Sequence, residues 1–417
     1  MVAGRFTMNP QHVTRSKAVL LAALFFGATF GGYALAGAEA GAAAASPQSG
    51  QILTVYLEYQ PVNYTFVNWG VPTVTRPASF KKEPAFSGGK INRGTFQFSG
   101  NASNWIAFAW DRNAGKLYLD LNRNLDLTDD PAGVFVRQSN YGGNYQSFTN
   151  IHLPFETPTG HRQMLVDLNL SDYGTRLGCA AAIRSLWQGK IALQGEEWQV
   201  GITENPFERS GSAEASHLLL RPWEARNKPF SAYADSMEVF PFSRRLFVQN
   251  RAYQLDYTNE SSGDSSRMKL QFTEQQPALG ELKITGDFVQ NVILDGGPYL
   301  VVINSPETVV RVPVGSYNLP KVWLKKGGTE ASRNSSPIQQ GKRIAIDEKK
   351  PAMLAAGGPL TNSVTVTRHG QYLYLSYQLT GADGEGYQLT GQDRTRPPEF
   401  AIYKGDRKIA SGKFEFG

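Results

Sequence analysis

The chain has one cysteine, Cys179, in 417 residues, so no intrachain disulfide can form and no cysteine cluster can hold zinc. Its neighbours Ala180, Ala181 and Ala182 offer no base to lower the thiol pKa, so Cys179 reads as buried and inert rather than nucleophilic. Histidine is scarce as well, at five residues, and after the first forty it occurs singly, at His152, His161, His217 and His369. No H-E-x-x-H, G-x-S-x-G or P-loop spacing occurs. Zinc proteolysis, serine-elbow acyl transfer and P-loop phosphoryl transfer therefore have no sequence support. Dense Lys/Arg stripes are also missing. Of a net charge of +6, three units come from Arg5, Arg15 and Lys17, ahead of the first acid, Glu39. The remaining +3 on so long a chain argues against a nucleic-acid partner. Sustained helical spacing is lacking too. Only residues 177–187, LGCAAAIRSLW, approach it, and their place before a strand pair favours β.

What the chain does have is 42 Gly, 23 Pro and 12% aromatic residues, a composition suited to many short strands joined by tight turns. Its length implies about two to four domains. Apolar residues alternate with others at 52–59, 94–100, 105–110, 116–121 and 161–170, the period of half-buried strands. The expected fold is mainly β: duplicated antiparallel β-meander domains followed by one or more β-sandwich modules.

Residues 18–37, AVLLAALFFGATFGGYALAG, follow the basic segment and end in small residues, the three-part layout of a secretory signal. Small-x-small sites lie at Ala34-Leu35-Ala36 and Ala38-Glu39-Ala40; the first is preferred, giving a signal at 1–36 and a small-residue linker at 37–50. Ala38 follows Leu35-Ala36-Gly37 where a lipoprotein would need cysteine, so a lipid anchor is not expected. Membrane attachment would require the signal to stay uncleaved, since about 20 apolar residues just span a bilayer. The expected location is periplasm, cell surface or outside the cell.

A diverged repeat follows. GTFQFSG (94–100), Trp105 and an apolar strand ending at Asp111 parallel GKIALQG (189–195), Trp198 and a strand ending at Glu204. KLYLD (116–120) parallels HLLLR (217–221), and residues 159–168 parallel 248–257. The economical reading is duplication, with copies at 51–172 and 173–262. Seven tryptophans, Trp69, Trp105, Trp110, Trp187, Trp198, Trp223 and Trp323, could line a sugar platform, but the equivalent positions of Trp105 and Trp198 suggest core.

Residues 278–417 alternate again, as one sandwich, or two if the polar stretch 327–341 divides them. VPVGSY (312–317) sets Pro and Gly before a strand; His369-Gly370 and Lys404-Gly405-Asp406 mark hairpins. In pattern this region resembles the immunoglobulin-like or carboxypeptidase-regulatory-like β-sandwiches appended to exported bacterial proteins. The resemblance implies a packing or adhesion module, a fold that carries no function by itself.

One stretch could carry chemistry: LYLDLNRNLDLTDDP (117–131), at a strand end. Counting Asp120 as one, oxygen side chains fall at one, three, five, seven and nine: Asp120, Asn122, Asn124, Asp126 and Thr128. It resembles the EF-hand-like calcium loops of exported bacterial proteins, dockerin-type loops among them, in which alternate side chains converge on a hard cation. Leu127, at eight, matches their buried apolar residue. The resemblance implies calcium held by Asp120, Asn122, Asn124 and Asp126. Leu125 stands where the family has Gly, and Pro131 where it has a bidentate acid, so Asp129 or Asp130 would have to substitute. The alternative is a three-residue hairpin turn, Asn122-Arg123-Asn124, with surface acids. The second copy has Arg221, Trp223 and Ala225 in place of Asp120, Asn122 and Asn124, so an ion site belongs to the first copy alone. The functional expectation is an exported non-catalytic binding or structural envelope protein, braced by calcium, with a glycan or cell-envelope component as partner. The alternative is a polysaccharide-acting hydrolase or lyase with sandwich accessories, which would need convergent carboxylates in a cleft.

Overall fold

The alternating runs become strands throughout. The computed structural model describes residues 2–7, 50–74, 79–98, 104–137, 139–140, 144–157, 160–174, 176–207, 216–231, 236–262, 265–318, 320–333, 343–370, 372–382, 384–390 and 397–414. The apolar run 18–37, its cleavage sites and the linker 37–49 lie outside these residues. Among those described, regular structure is β apart from 3₁₀ turns such as Pro131–Gly133 and Trp223–Ala225, and no helix is long and apolar enough to cross a membrane.

Strand β1 (Val2–Thr7) pairs with the C-terminal region, and β2 (Ile52–Pro61) belongs to a second barrel described below. Next come β3 (Val67–Gly70), β4 (Thr73–Val74), β5 (Ile91–Gln97), β6 (Trp105–Asp111) and β7 (Lys116–Leu119). They are followed by β8 (Val134–Val136), β9 (Ser139–Asn140), β10 (Tyr145–Thr157), β11 (Gly160–Asp172) and β12 (Leu177–Ile183). These ten form two sheets, ordered β4-β5-β6-β7-β8 and β3-β12-β11-β10-β9. Both margins are shared. Only Val71 and Pro72 part β3 from β4, and only residues 137 and 138 part β8 from β9. The Val71 N–H donates to the Cys179 carbonyl at 2.9 Å and the Gln97 N–H to the Pro72 carbonyl at 3.0 Å, so one bent strand serves both sheets. Pro72, with no donor of its own, suits the bend. A ladder joined at both margins closes into a small barrel. Phe96, Phe108, Trp110 and Leu119 from one sheet meet Phe148, Val166, Leu168 and Leu170 from the other inside it. Strand β6 is buried on both faces: its Ala109 packs outside the barrel with Tyr118 and Leu127, under Phe80, Phe86 and Ile91.

The second barrel uses β13 (Ser185–Leu193), β14 (Glu196–Thr203), β15 (His217–Pro222), β16 (Val239–Pro241), β17 (Arg245–Val248), β18 (Arg251–Ser262) and β19 (Ser265–Gln275). Its order, β17-β18-β19-β2-β13-β14-β15-β16, begins and ends on one bent stretch, because only residues 242–244 part β16 from β17. Leu57, Trp198, Leu220, Leu246, Tyr253 and Phe272 fill it. Along β15, Leu218 and Leu220 point into this barrel while Leu219 joins the core of the first, so the alternation of one strand holds the two barrels together.

Strands β5-β6-β7-β8 and β13-β14-β15-β16 follow the same meander order, and residues 117–119 and 218–220 lie on the third strand of each. Residues 94–97 and 189–193 lie on the first strand of each meander, and Trp105 and Trp198 on the second. Residues 160–168 follow the tight turn of the β10–β11 hairpin and run along β11, as 251–257 follow that of the β17–β18 hairpin and run along β18. The barrels are nonetheless not successive segments: β2 lies between β19 and β13, and β12 closes the first barrel. Residues 177–187 are strand, despite their alanines, because pairing with β3 and β11 outweighs propensity.

The C-terminal region is a sandwich. Its strands are β20 (Leu279–Thr285), β21 (Val289–Leu294), β22 (Leu300–Asn304), β23 (Val309–Pro313), β24 (Gly315–Asn318) and β25 (Lys321–Lys326), then β26 (Thr329–Arg333), β27 (Arg343–Ile346), β28 (Ala352–Ala355), β29 (Thr361–His369), β30 (Tyr372–Thr380) and β31 (Gly386–Thr390). One layer runs β22-β21-β25-β26-β31-β30 with β29 outermost, and β17 pairs in parallel with β22 to join it to the second barrel. The pairs β23-β20-β28 and β24-β27 supply the other layer. Ala331 on β26 and Ile346 on β27 share one core with Leu282, Val301, Val312 and Tyr317, so the polar stretch 327–341 does not divide the sandwich. Within VPVGSY, the buried Tyr317 hydroxyl donates to the Pro313 carbonyl at 2.9 Å, a tie of the tyrosine-corner kind. Both signalled hairpins form, β29-β30 and the pair β32 (Glu399–Lys404) and β33 (Arg407–Lys413), with Gly370 and Gly405 at φ 61°.

Candidate cation-binding loop

Strand β7 stops at Leu119 and pairs with β8, which starts at Val134, so residues 120–133 form one long loop. The three-residue hairpin at Asn122-Arg123-Asn124 does not form. Residues 125–127 never return to β7; they bridge to Lys82, with the Lys81 N–H donating to the Leu125 carbonyl at 2.8 Å and the Leu127 N–H to the Lys82 carbonyl at 3.1 Å. Leu127 is sealed beneath the loop, 2% exposed, which anchors its far side to the barrel.

Asp120 is the hub. Its carboxyl is completely buried at the strand end and accepts the Asn124 N–H at 3.0 Å on Oδ1 and the Leu125 N–H at 3.1 Å on Oδ2. Bending the chain around one carboxylate drives Arg123 and Leu125 into the left-handed region, at φ 61° and 67°. That conformation costs a non-glycine residue about 1–2 kcal/mol, and Leu125 is the position at which the loop family has glycine. Successive short turns follow: the Asn124 N–H donates to Asn122 Oδ1 at 3.1 Å, the Asp126 N–H to Asn124 Oδ1 at 2.7 Å, and the Thr128 N–H to Asp126 Oδ1 at 2.8 Å.

The two acids offered as substitutes for position twelve both turn inward. Asp129 accepts the Asn122 amide at 3.2 Å and the Asn124 amide at 2.6 Å. Asp130 accepts the Leu121 N–H at 3.1 Å. Burial and the charge of Asp129 push Asp120 above the usual carboxylate range, against backbone hydrogen bonds that pull it down. Burial also raises Asp130, with Asp120 and Asp129 adding to the shift. Asp126 turns aside. Thr128 Oγ1 donates to it at 2.6 Å, and that bond, the Thr128 N–H and the nearby lysines hold its carboxyl below the usual range. The structure therefore gathers Asp120, Asn122, Asn124, Asp129 and Asp130, and leaves Asp126 on the flank.

The donor set suits calcium: carboxylate and amide oxygens are hard ligands, and each carboxylate oxygen engaged by one N–H keeps a lone pair. Among the described residues no three His, Cys, Asp or Glu side chains already surround a point that could hold a metal. The Asn122 and Asn124 amides donate to Asp129, so their carbonyl oxygens would have to swing inward to complete a shell.

Other expected residues lie apart. His152, His217 and His369 sit on β10, β15 and β29, and His161 on β11. The His217 ring lies tilted against Trp69, with centres 5.7 Å apart, and burial lowers its pKa to about 4. Trp69, Trp110, Trp187, Trp198 and Trp323 are buried and belong to the core; Trp105 and Trp223 are half-buried and outside the core clusters, so of the pair expected in the core only Trp198 lies there. A polar cleft between the barrels escaped sequence reading: Arg162 lies over the Trp187 ring at 4.7 Å and 3.9 Å from Glu204, whose carboxyl burial raises. Its cavity of about 10 Å³, lined by Tyr59, Ser185, Trp187, Thr203 and Glu204, has room for about one water. Only an acid closing the apolar run WQVGITE hinted at it.

The site and fold define a mainly β protein of two barrels and a sandwich, with an acid-lined loop on the first barrel. Compared with protein-family models, curated proteins and solved structures, the chain matches none.

Proposed function

We propose that this is an exported, non-catalytic structural or binding protein whose first barrel is braced by a calcium ion in loop 120–133. One observation carries the reading: Asp120, Asp129 and Asp130 converge on a single turn, and among the described residues none of the three pairs with a Lys, Arg or His side chain. Like charges brought together at a partly buried site oppose one another, and a divalent cation reverses that cost. Export supplies the setting, since extracellular calcium is high enough for weak loops to fill. The partner would be a glycan or another cell-envelope component. A hydrolase acting on polysaccharide gains no support from Glu204, whose cavity is far smaller than a sugar ring.

Isothermal titration of the metal-free protein with calcium tests the proposal. One site with a dissociation constant of about 10⁻⁴ to 10⁻³ M is expected, the range of extracellular modules, with magnesium weaker because its shell is smaller and more rigid. No calcium heat at millimolar concentration would leave the loop an acid-lined turn and remove the brace.

A further inference from the structure

Strand β29 pairs with β30 along all nine of its residues, yet not one of its side chains is buried on either face. Val364 and Val366 stand 45% and 58% exposed. The strand contributes nothing to the sandwich core, and a hairpin stabilised by its own pairing alone is marginal in water. Its outer margin has no partner among the described strands; the opposite margin of β30 is taken by β31 at 379–380 and by β1 at 372–377, a strand that removal of a signal at 1–36 would take away. Exposed edges are ordinarily blunted by proline, a bulge or inward charge. β29, TNSVTVTRH, has neither proline nor a register shift, and Arg368 near its end is its only Lys, Arg, Asp or Glu.

The sequence of this edge is nearly palindromic about Thr365. Laid antiparallel against itself, it sets Val364 opposite Val366 of a second copy, Thr365 opposite Thr365, Ser363 opposite Thr367 and Asn362 opposite Arg368. Valine and threonine pairs are favourable cross-strand neighbours, and no like charges face one another. A two-fold axis through Thr365 gives each copy the same contacts, the condition for an isologous dimer. We infer that the β29 edge is a self-association surface, joining two copies of this chain into one continuous sheet. Nine residues of edge bury less than a standard interface, so the dimer is weak and depends on concentration.

Sedimentation equilibrium of the full chain from about 1 to 200 µM tests this. The unmutated protein should pass from monomer to dimer across that range. Two double variants at these exposed positions, Val364→Lys with Val366→Lys and Val364→Glu with Val366→Glu, set like charges opposite one another. Each should dimerise about tenfold more weakly or worse, with unchanged thermal melting as the check on folding. Mixed in equal amounts, the two variants should associate again, because opposite charges now meet. A monomer at every concentration overturns the inference, as does a mixture that associates no better than its components. A monomer that takes up an unrelated alternating Val/Thr peptide would assign the edge to a foreign strand and also overturn self-pairing.

Discussion

Asp129 and Asp120 play different parts in the metal-free loop, and that difference separates calcium binding from turn formation. Asp129 is exposed and, among the described residues, accepts the two asparagine amides alone. Removing it by Asp129→Ala strands no backbone group and relieves repulsion on Asp120, so without calcium the first barrel should change by no more than about 0.5 kcal/mol. Asp120 is fully buried and accepts at least two backbone N–H groups. Asp120→Ala leaves those donors unsatisfied, at a cost of about 1–3 kcal/mol with no calcium present. Added calcium changes the comparison. At ten times its dissociation constant it stabilises the unmutated protein by RT ln 11, about 1.4 kcal/mol, and it should do nothing for either variant. Denaturant melts in chelator and in calcium measure all four quantities. Trp110, buried in the first barrel with its Nε1 donating to Gln146 at 2.7 Å, reports that barrel by fluorescence. The transition should be followed barrel by barrel, since a chain of several domains is not two-state. Equal calcium shifts in the unmutated protein and Asp129→Ala would refute the reasoning, because the acid nearest both amides would then be no ligand.

The same loop predicts a pH dependence. Asp120 and Asp130 have folded pKa values raised above their unfolded ones, so the metal-free fold holds extra protons and loses stability as pH rises through the window above about 3.9. Calcium displaces those protons, and its stabilising increment should be small near pH 4 and grow toward neutrality; an increment independent of pH over that range contradicts the carboxylate cluster. In the sandwich, Tyr317→Phe removes a buried hydroxyl and leaves the Pro313 carbonyl without it, for a loss of about 1 kcal/mol in that domain's unfolding free energy. Cys179 is half-buried against the first core, and burial pushes its thiol far above the ordinary range, so a thiol reagent at pH 8 should label the native chain far more slowly than the unfolded one; equal rates would contradict the packing. Intact-mass analysis of the exported protein should find a chain beginning at residue 37 or 41, not at Met1.

Strand content was legible because period-2 alternation is a local signal. Phe96 and Phe108 point inward and Thr95 does not, and the pattern says so without any partner being known. Closure was not legible. It depends on Val71-Pro72 and residues 242–244 being places where a strand changes sheets, and a two- or three-residue bend looks in sequence like any loop. The same holds for β2, which leaves its neighbours in the chain to pair with β13 and β19. In the loop, the oxygen ladder could be read residue by residue, but not the direction of each side chain. Asp126 has the right spacing, yet Thr128, two residues on, captures its carboxyl. Leu125 looked like an obstacle to the turn; it takes the left-handed conformation regardless, because Asp120 draws in its N–H and Lys81 binds its carbonyl.

The second barrel offers an internal comparison for the site. Buried Asp120 lies just past the end of β7, and Arg221, its counterpart in the sequence repeat, is the last residue but one of β15, also buried, 1% exposed. Arg221 is satisfied from within the chain: Nε donates to Gln199 at 2.7 Å, Nη1 to Glu238 at 3.3 Å and Nη2 to the Arg226 carbonyl at 3.0 Å, with the guanidinium 3.7 Å from the centre of the Phe230 ring. Each barrel thus buries a charge at the same point of its meander. In the second, the opposite charge is Glu238, part of the fold. In the first, the charge that acts on Asp120 is that of another acid, Asp129, which raises its pKa rather than lowers it. A buried carboxyl can stay ionised at neutral pH only if positive charge or enough hydrogen bonds compensate it. The backbone supplies part of that to Asp120, and the part it does not supply is what a calcium ion would add.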